Sequence, residues 1–266
     1  MVEAGRRLAR LYTYALIAAL YAPIVVMAAY SFDDSKFFGV WGGFTARWYR
    51  LLAHDPQAWE ALRNSVAVAV ASALISTALA LPAALSTRKV DRDLASLLTY
   101  PPVIMPEITE AVALMIMFLK LGFPLGVVSV VIGHTAFNVA YAYVALTPAG
   151  SSGARLAMAA RTLGAGPLEA FLRVAVPVSM PGIVAALALT FMMSFTDFTK
   201  TLFTKGPGFV TLPILIWNRA RRPGLSPYTS QPAIAALSTV LVAMSIAVAF
   251  TFTLYQARRQ PGRGGA

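Results

Sequence analysis

Cysteine is absent from the sequence, and only 12% of the residues are charged, against about a quarter in an ordinary soluble domain. Without cysteine the chain can form neither a disulfide bond nor a thiolate metal site. The sequence also lacks a G-x-x-x-x-G-K-S/T pattern, so we predict no nucleotide site and no cofactor on this chain. Its two histidines, His54 and His134, belong to no H-E-x-x-H motif, and G-x-S-x-G is missing. We therefore predict no catalytic residues and no bound metal, which disfavours a membrane-embedded hydrolase.

Apolar residues make up 58% of the chain, and the mean hydropathy is +0.67. A membrane-spanning helix needs roughly 20 mainly apolar residues, and six stretches meet that requirement. They predict an all-α membrane protein with six transmembrane helices in one transmembrane domain, 12–256. The predicted spans are 12–30, 65–86, 97–119, 125–146, 182–203 and 233–254, with a leader, 1–11, before them and a tail, 257–266, after them.

The net charge of +11 comes from basic residues at both chain ends and in the loops between the apolar stretches. Basic residues that flank apolar stretches anchor helices at the lipid surface, so they favour a lipid bilayer over a nucleic-acid partner. The basic leader and tail predict a multi-pass protein of the cell membrane with both termini in the cytoplasm. A cleaved signal peptide would also have a basic region before an apolar one, but the length of the first stretch and the further spans favour an uncleaved helix.

The segment between the fourth and fifth spans, Ala159–Pro177, is too polar to cross the membrane. Apolar residues recur at i, i+3, i+4 and i+7 on both sides of Gly164, which predicts two short amphipathic helices joined by a sharp turn. These residues are Leu156, Ala159, Ala160 and Leu163 before the turn, and Leu168, Phe171, Leu172 and Ala175 after it. Such a pair suits either the groove of a partner protein or the lipid surface, and the pattern alone favours neither.

The same segment resembles the cytoplasmic loop of permease subunits of ATP-binding-cassette (ABC) importers. The pattern of that loop is EAA, three residues, G, nine residues and I-x-L-P. Ala159-Ala160, Gly164 and Val174–Pro177 match it at that spacing, Met158 stands at the acidic position, and two valines replace Ile and Leu. The resemblance implies that the loop docks on a separate ATPase subunit, which binds ATP and Mg²⁺, and that it transmits the closure of that subunit. The docking residues it implies are Ala159, Ala160, Gly164, Leu168, Phe171 and Pro177.

Further motifs resemble spermidine/putrescine-type permeases and extend the likeness over nearly the whole chain. They are Ser31-Phe32, Val40–Thr45, Trp48-Tyr49, Pro106–Ile108, Ser194–Phe198, Thr211–Pro213 and Ser226-Pro227. The resemblance implies a second permease subunit, identical or different, and an extracytoplasmic binding protein that docks on the loops 31–64 and 204–232.

Polar residues inside the predicted spans are costly in lipid and tend to face a cavity or a partner. The candidates for a substrate pathway are Thr190, Ser194, Asp197 and Thr201 on one face of the fifth span, Glu107 and Glu110 on the third, and Asn138 on the fourth. Asp197 could instead pair with Lys200 and affect only packing. Glu107 and Glu110 could attract a cation or hold the backbone together near Pro106. His134 shares a face with Asn138, where packing is the more frequent role of a lone histidine.

These observations predict the permease subunit of an ABC importer, working by alternating access between inward-open and outward-open states. Three acidic residues against one nearby lysine suit a cationic solute, so a polyamine or similar organic cation is the first expectation. A metal ion, a thiamine-like compound or an oxyanion is the alternative. An ion-coupled carrier acting alone would not need the 154–177 loop, and it should contain inverted repeats, which are not evident.

Overall fold

The computed structural model describes residues 2–35, 40–86 and 89–259, and its regular elements there are helices, apart from one isolated antiparallel bridge between Asp33 and Phe44. The helices are α1 (Val2–Tyr30), α2 (Arg47–Ala53), α3 (Pro56–Ala84), α4 (Lys89–Ile104), α5 (Glu107–Lys120), α6 (Val127–Thr162), α7 (Pro167–Ala170), α8 (Val176–Val178), α9 (Met180–Phe195), α10 (Thr199–Thr204), α11 (Leu212–Ala220) and α12 (Gln231–Arg259). A π-helical turn, Phe171–Ala175, joins α7 to α8, and a 3-10 turn, Pro227–Thr229, precedes α12.

Four helices, α1, α3, α6 and α12, are long and apolar enough to cross a membrane, and the number rises to six if two bent helix pairs are each counted as one span. The all-α membrane class is therefore confirmed, while the count of six spans stays a prediction. The predicted leader, 1–11, is helical from Val2 and continuous with the first span. Most of the predicted tail, 257–266, lies outside the described residues.

The predicted third span, 97–119, is not one helix. The axes of Asp93–Ile104 and Glu107–Lys120 meet at a bend of 107°. Pro106 lies at this break with an extended backbone, at φ −61° and ψ 129°. Proline has no N–H to donate to the preceding turn, and it disfavours the helical conformation in the residue before it. The bend places Glu107 in the first turn of α5.

Helix α6 continues for 36 residues, from the predicted fourth span through the short helix predicted before Gly164. That short helix is therefore the end of α6, and the span bounds 125–146 stay a prediction. Gly150 and Gly153, which would weaken an isolated helix, lie where α6 packs closely against Ala84, Ala175 and Ser179. Burial of the helix at these glycines outweighs their low helix propensity.

Small residues allow the helices of one compact unit, Trp59–Leu215 with Met244–Ala266, to pack closely. Its core cluster draws on α3, α6 and α9 and consists of Ala80, Ala84, Ala142, Tyr143, Leu146 and Ala186. In lipid, where apolar burial gives no advantage over contact with acyl chains, such close contacts supply the packing energy.

Substituting alanine for Gly150 is expected to lower the free energy of unfolding by about 1–3 kcal/mol, the usual cost of overpacking. The added Cβ would lie 2.5 Å from the carbonyl oxygen of Ala84. Thermal unfolding of the purified chain in detergent measures the effect. Gly166→Ala is the matched control, because φ there is −63° and the Cβ meets no described atom within 4 Å. Equal melting temperatures for the two variants would contradict close packing at Gly150.

The other compact unit comprises Met1–Ala58 and Ile216–Ala243. Its loop after α1 is held by Asp33, whose Oδ1 accepts the N–H groups of Ser35 and Gly42 and whose carbonyl oxygen accepts Trp48 Nε1 at 2.7 Å. A buried ion pair joins Arg219 of α11 to Asp55, just before α3. These bonds order the connecting segments of the unit.

Candidate functional site

His134 of α6 is the centre of a buried polar cluster that α6 forms with the junction of α9 and α10. Its Nδ1 lies 2.6 Å from Ser194 Oγ, and its Nε2 lies 3.0 Å from Thr201 Oγ1 and 3.3 Å from Asp197 Oδ1. All four side chains are buried. Because buried polar groups are costly unless they are hydrogen-bonded, these contacts join α6 firmly to the α9–α10 junction.

Asp197 links this cluster to a lysine and to a second carboxylate. The backbone N–H of Thr201 donates to Asp197 Oδ1 at 2.9 Å, and Lys200 Nζ donates to Asp197 Oδ2 at 2.9 Å. Lys200 Nζ also donates to Glu107 Oε1 of α5 at 2.5 Å. The side chains of Asp197 and Lys200 are 2% and 10% exposed, whereas that of Glu107 is 53% exposed. The ion pairs therefore run from the buried interior of the chain to its accessible surface.

Asn138 forms a second, separate polar contact. Its Nδ2 donates to Ser72 Oγ of α3 at 2.8 Å and to the backbone oxygen of Thr190 at 3.1 Å. Thr190 Oγ1 donates to the Ala186 carbonyl one turn earlier in α9. Asn138 thus ties α6 to α3 and α9 by bonds that leave its amide group inside the helix packing.

The polar face predicted for the fifth span is therefore divided between two sites. Residues 196–198 interrupt the helix between α9 and α10, so Thr190 lies at Asn138, while Ser194, Asp197 and Thr201 lie at His134. The pairing of Asp197 with Lys200 is present. The contact of Lys200 with Glu107, 93 residues away, was not predicted, because periodicity within one helix carries no information about its neighbours. The presence of ionisable groups in apolar spans was the signal that marked both residues.

Glu110 lies one turn beyond Glu107 on the same face of α5 and is 4% exposed. Its Oε1 is buried and accepts no hydrogen bond from any residue that the structure describes. It lies on the face of α5 that carries Glu107, the partner of Lys200. The cluster thus contains more acidic groups than basic ones, although whether a solute contacts any of them stays a prediction.

The predicted docking loop begins with a glycine-capped helix end. Gly164 has φ +98°, and its N–H donates to Arg161 O while the N–H of Ala165 donates to Ala160 O. This is the Schellman arrangement, in which a left-handed glycine terminates a helix. The backbone then turns into α7, where Pro167 occupies the first turn.

Apolar side chains on both sides of this turn are exposed. Leu163 is 89% and Leu168 69% exposed, and Ala159, Gly164 and Pro177 are exposed as well. Phe171 instead lies half-buried beside a cavity of about 240 Å³ between α6 and the π-helical turn, and Ala160 is half-buried. The six predicted docking residues therefore divide into four at the surface and two partly covered by the chain itself.

A second cavity, of about 630 Å³, lies in the other compact unit, between α2 and the segment before α12. Its walls include Arg47, Trp48 and Pro227. Arg47 pairs with Asp34 at 2.8 Å and lies 4.2 Å from the centroid of the Trp48 ring. The loops 31–64 and 204–232, predicted to receive a binding protein, thus contain a preformed concave surface.

No protein-family model matches the chain, but individual proteins do. The spermidine/putrescine transport system permease protein PotC of Shigella flexneri is 28% identical over 265 residues, or 98% of each chain. The putrescine transport system permease protein PotI of Escherichia coli (strain K12) is 30% identical over 255 residues, which cover 92% of this chain and 89% of PotI.

Solved structures of ABC transporters share the fold. A chain of a bacterial transporter that imports the acidic polysaccharide alginate matches with a TM-score of 0.74 at 14% identity, over 95% of this chain and 96% of that one. A chain of an amino acid ABC transporter matches with a TM-score of 0.59 at 16% identity, over 81% and 100%. The chain therefore belongs to the spermidine/putrescine-type permease family of ABC importers, as a membrane-spanning transport subunit.

Proposed function

We propose that this subunit forms part of the pathway by which an ABC importer takes up a polyamine or a similar organic cation, with ATP hydrolysed on a separate partner. The single observation that carries the substrate class is the name of the relatives, since PotC and PotI are both polyamine permeases. The charges of the cluster support it. Two carboxylates, those of the half-exposed Glu107 and the buried Asp197, face the single ammonium of Lys200, and an excess of negative charge attracts an organic cation.

The pathway residues that we propose are the two carboxylates Glu107 and Asp197 with Glu110, and beside them Ser194, Thr201, Thr190 and Asn138. Glu107 is the accessible member, because half of its side chain is exposed. An incoming cation would meet it first. The remaining candidates, which are buried in this chain, would contact solute only when the helices separate during alternating access.

The partner ATPase docks, in this proposal, on the apolar surface around Gly164. Leu163 and Leu168 expose large apolar side chains there, and exposed patches of this kind mark interaction sites. The docking residues are Ala159, Ala160, Gly164, Leu168, Phe171 and Pro177. This assignment puts the loop and both chain termini on the cytoplasmic side.

Two further partners complete the proposed complex. An extracytoplasmic binding protein would deliver solute to the loops 31–64 and 204–232, where the 630 Å³ cavity lies. A second permease subunit would form the other half of the pathway. A structural neighbour has been solved with a periplasmic protein carrying an alginate pentasaccharide, which supports such an assembly.

Ligand-stimulated ATP hydrolysis by the assembled complex tests the substrate class. We expect putrescine or spermidine, delivered by the binding protein, to raise the ATPase rate several-fold, because the ligand shifts the population toward the closed, hydrolytic state. The same complex without binding protein is the control. Stimulation by a metal ion, thiamine or phosphate but by no polyamine would reject the polyamine assignment and leave the importer assignment standing.

A further inference from the structure

The ammonium group of Lys200 lies between two carboxylates and an aromatic ring. Its Nζ is 2.5 Å from Glu107 Oε1, 2.9 Å from Asp197 Oδ2 and 5.8 Å from the centroid of the Phe137 ring. Carboxylates and an aromatic face are the groups with which proteins recognise an alkylammonium ion. The side chain of Lys200 therefore occupies a complete site for a primary amine.

The walls of this site are held by contacts other than those with Lys200. Asp197 Oδ1 accepts the backbone N–H of Thr201 at 2.9 Å and lies 3.3 Å from His134 Nε2. The backbone of Glu107 is fixed at the start of α5 by the break at Pro106. The carboxylate of Asp197 and the backbone of Glu107 would therefore keep their places if the lysine ammonium left.

The site also has one more carboxylate than the lysine neutralises. One ammonium faces Glu107 and Asp197 directly, and Glu110 adds a third carboxyl group whose buried Oε1 accepts no hydrogen bond within the described part of the chain. A second cation, or a cation with more than one amine, would find favourable interactions there.

The contact with Glu107 is the accessible side of the site. The Glu107 side chain is 53% exposed, against 10% for Lys200 and 2% for Asp197. Lysine carries its charge on a flexible four-carbon stem, so its ammonium can leave Glu107 while the backbone of α10 stays in place.

We propose that Lys200 is a tethered competitor that fills an alkylammonium site, and that an incoming amine takes its place on Glu107. The exchange leaves one cationic partner on Glu107 throughout, since the incoming ammonium replaces that of the lysine. It also prevents tight trapping of the ligand, which a transport pathway must avoid. The proposal rests on the proposed function in so far as the transported solute is an amine.

Chemical rescue of Lys200→Ala tests the site without transport. The full-length variant is purified in detergent, and its melting temperature is followed during titration with n-butylammonium or with uncharged 1-butanol. We expect the variant to melt below the wild type, and n-butylammonium to restore its melting temperature with saturation. The wild type should need at least about tenfold more amine for an equal shift, because its own ammonium competes.

Two variants complete the test. Lys205→Ala, five residues on, keeps Lys200 and should respond no more than the wild type does, and Lys200→Ala combined with Glu107→Gln should lose most of the response. Absence of rescue, or equal rescue by 1-butanol, would overturn the proposal. If Lys200→Ala is not recovered in folded form, the same titration of Lys200→Gln gives the answer by the same criteria.

The result of this titration and the result of the ATPase assay for the proposed function can be told apart. Rescue by n-butylammonium, without stimulation of ATP hydrolysis by a polyamine, would support the amine site and reject the polyamine as substrate. Stimulation of ATP hydrolysis by a polyamine, without rescue by the amine, would support the substrate class and reject the competitor role of Lys200.

Discussion

Gly164→Pro is expected to lower solute uptake by about 100-fold, near the upper end of what a coupling free energy between two sites is worth. Gly164 has φ +98°, which proline, with φ near −65°, does not adopt. Proline also removes the N–H that donates to Arg161 O. The end of α6 and the start of α7 would then no longer present the apolar surface in one arrangement. Uptake by cells that express the full importer measures the effect.

Gly166→Pro is the matched control, two residues away. Gly166 has φ −63° and ψ 156°, which are values that proline adopts without strain. We expect this variant to keep most of the uptake, and both variants to reach the membrane in equal amounts on an immunoblot. Uptake that survives in Gly164→Pro would refute the docking role of the turn.

Asp197→Leu should destabilise the chain by about 3–5 kcal/mol, the cost of removing one partner from a buried ion pair. The substitution leaves Lys200 with Glu107 alone, removes the acceptor of the Thr201 N–H and exposes His134 Nε2 to an apolar group. The Thr201 N–H would lose the acceptor described for it, while Lys200 keeps Glu107 and His134 Nε2 keeps Thr201 Oγ1. Denaturant or thermal unfolding of the purified chain measures the change in free energy.

The exposed pair of Glu169 with Arg173 supplies the comparison. Their side chains are 50% and 79% exposed and lie 2.8 Å apart, one turn apart in sequence. Water screens such pairs, so Glu169→Gln should change stability by less than about 0.5 kcal/mol. A loss of similar size in both variants would mean that the Asp197 contacts add nothing beyond an ordinary surface pair.

The apolar stretches were predictable because a span needs length and low polarity, and both can be read along one chain. Whether each proline would bend its helix could not be predicted. Pro82 and Pro148 lie inside continuous helices, whereas Pro106 lies at a bend of 107°. Neighbouring helices can satisfy the backbone groups that a proline frees, so its effect depends on contacts between elements that are far apart in sequence.

The same holds for the candidate site, where residue types could be read from the sequence and contacts between helices could not. Ionisable residues in apolar stretches drew attention to Glu107, Glu110 and Asp197, and the spacing around Gly164 marked the turn correctly. The contacts that organise these residues lie between helices: His134 with Ser194, and Lys200 with Glu107. Phe171 was predicted on the same apolar face as Leu168, yet it is half-buried beside α6 while Leu168 is exposed. The spacing along one helix could not show that α6 would cover one of these two residues and leave the other exposed.

Because α6 is one continuous helix, a rotation about its axis at one end affects side chains near the other end. Ala160 and His134 are separated by 26 residues of one helix, or about 39 Å at 1.5 Å per residue. Although Pro148 lacks an N–H, α6 is continuous on both sides of it, so a rotation imposed near Ala160 would be passed along the helix toward His134. A side chain about 6 Å from the helix axis moves by about 1 Å for a rotation of about 10°. Directed along the 2.6 Å contact between His134 and Ser194, that displacement would lengthen it beyond hydrogen-bonding distance. A slight turn of the exposed end of α6 would thus act on a hydrogen bond far along the same helix.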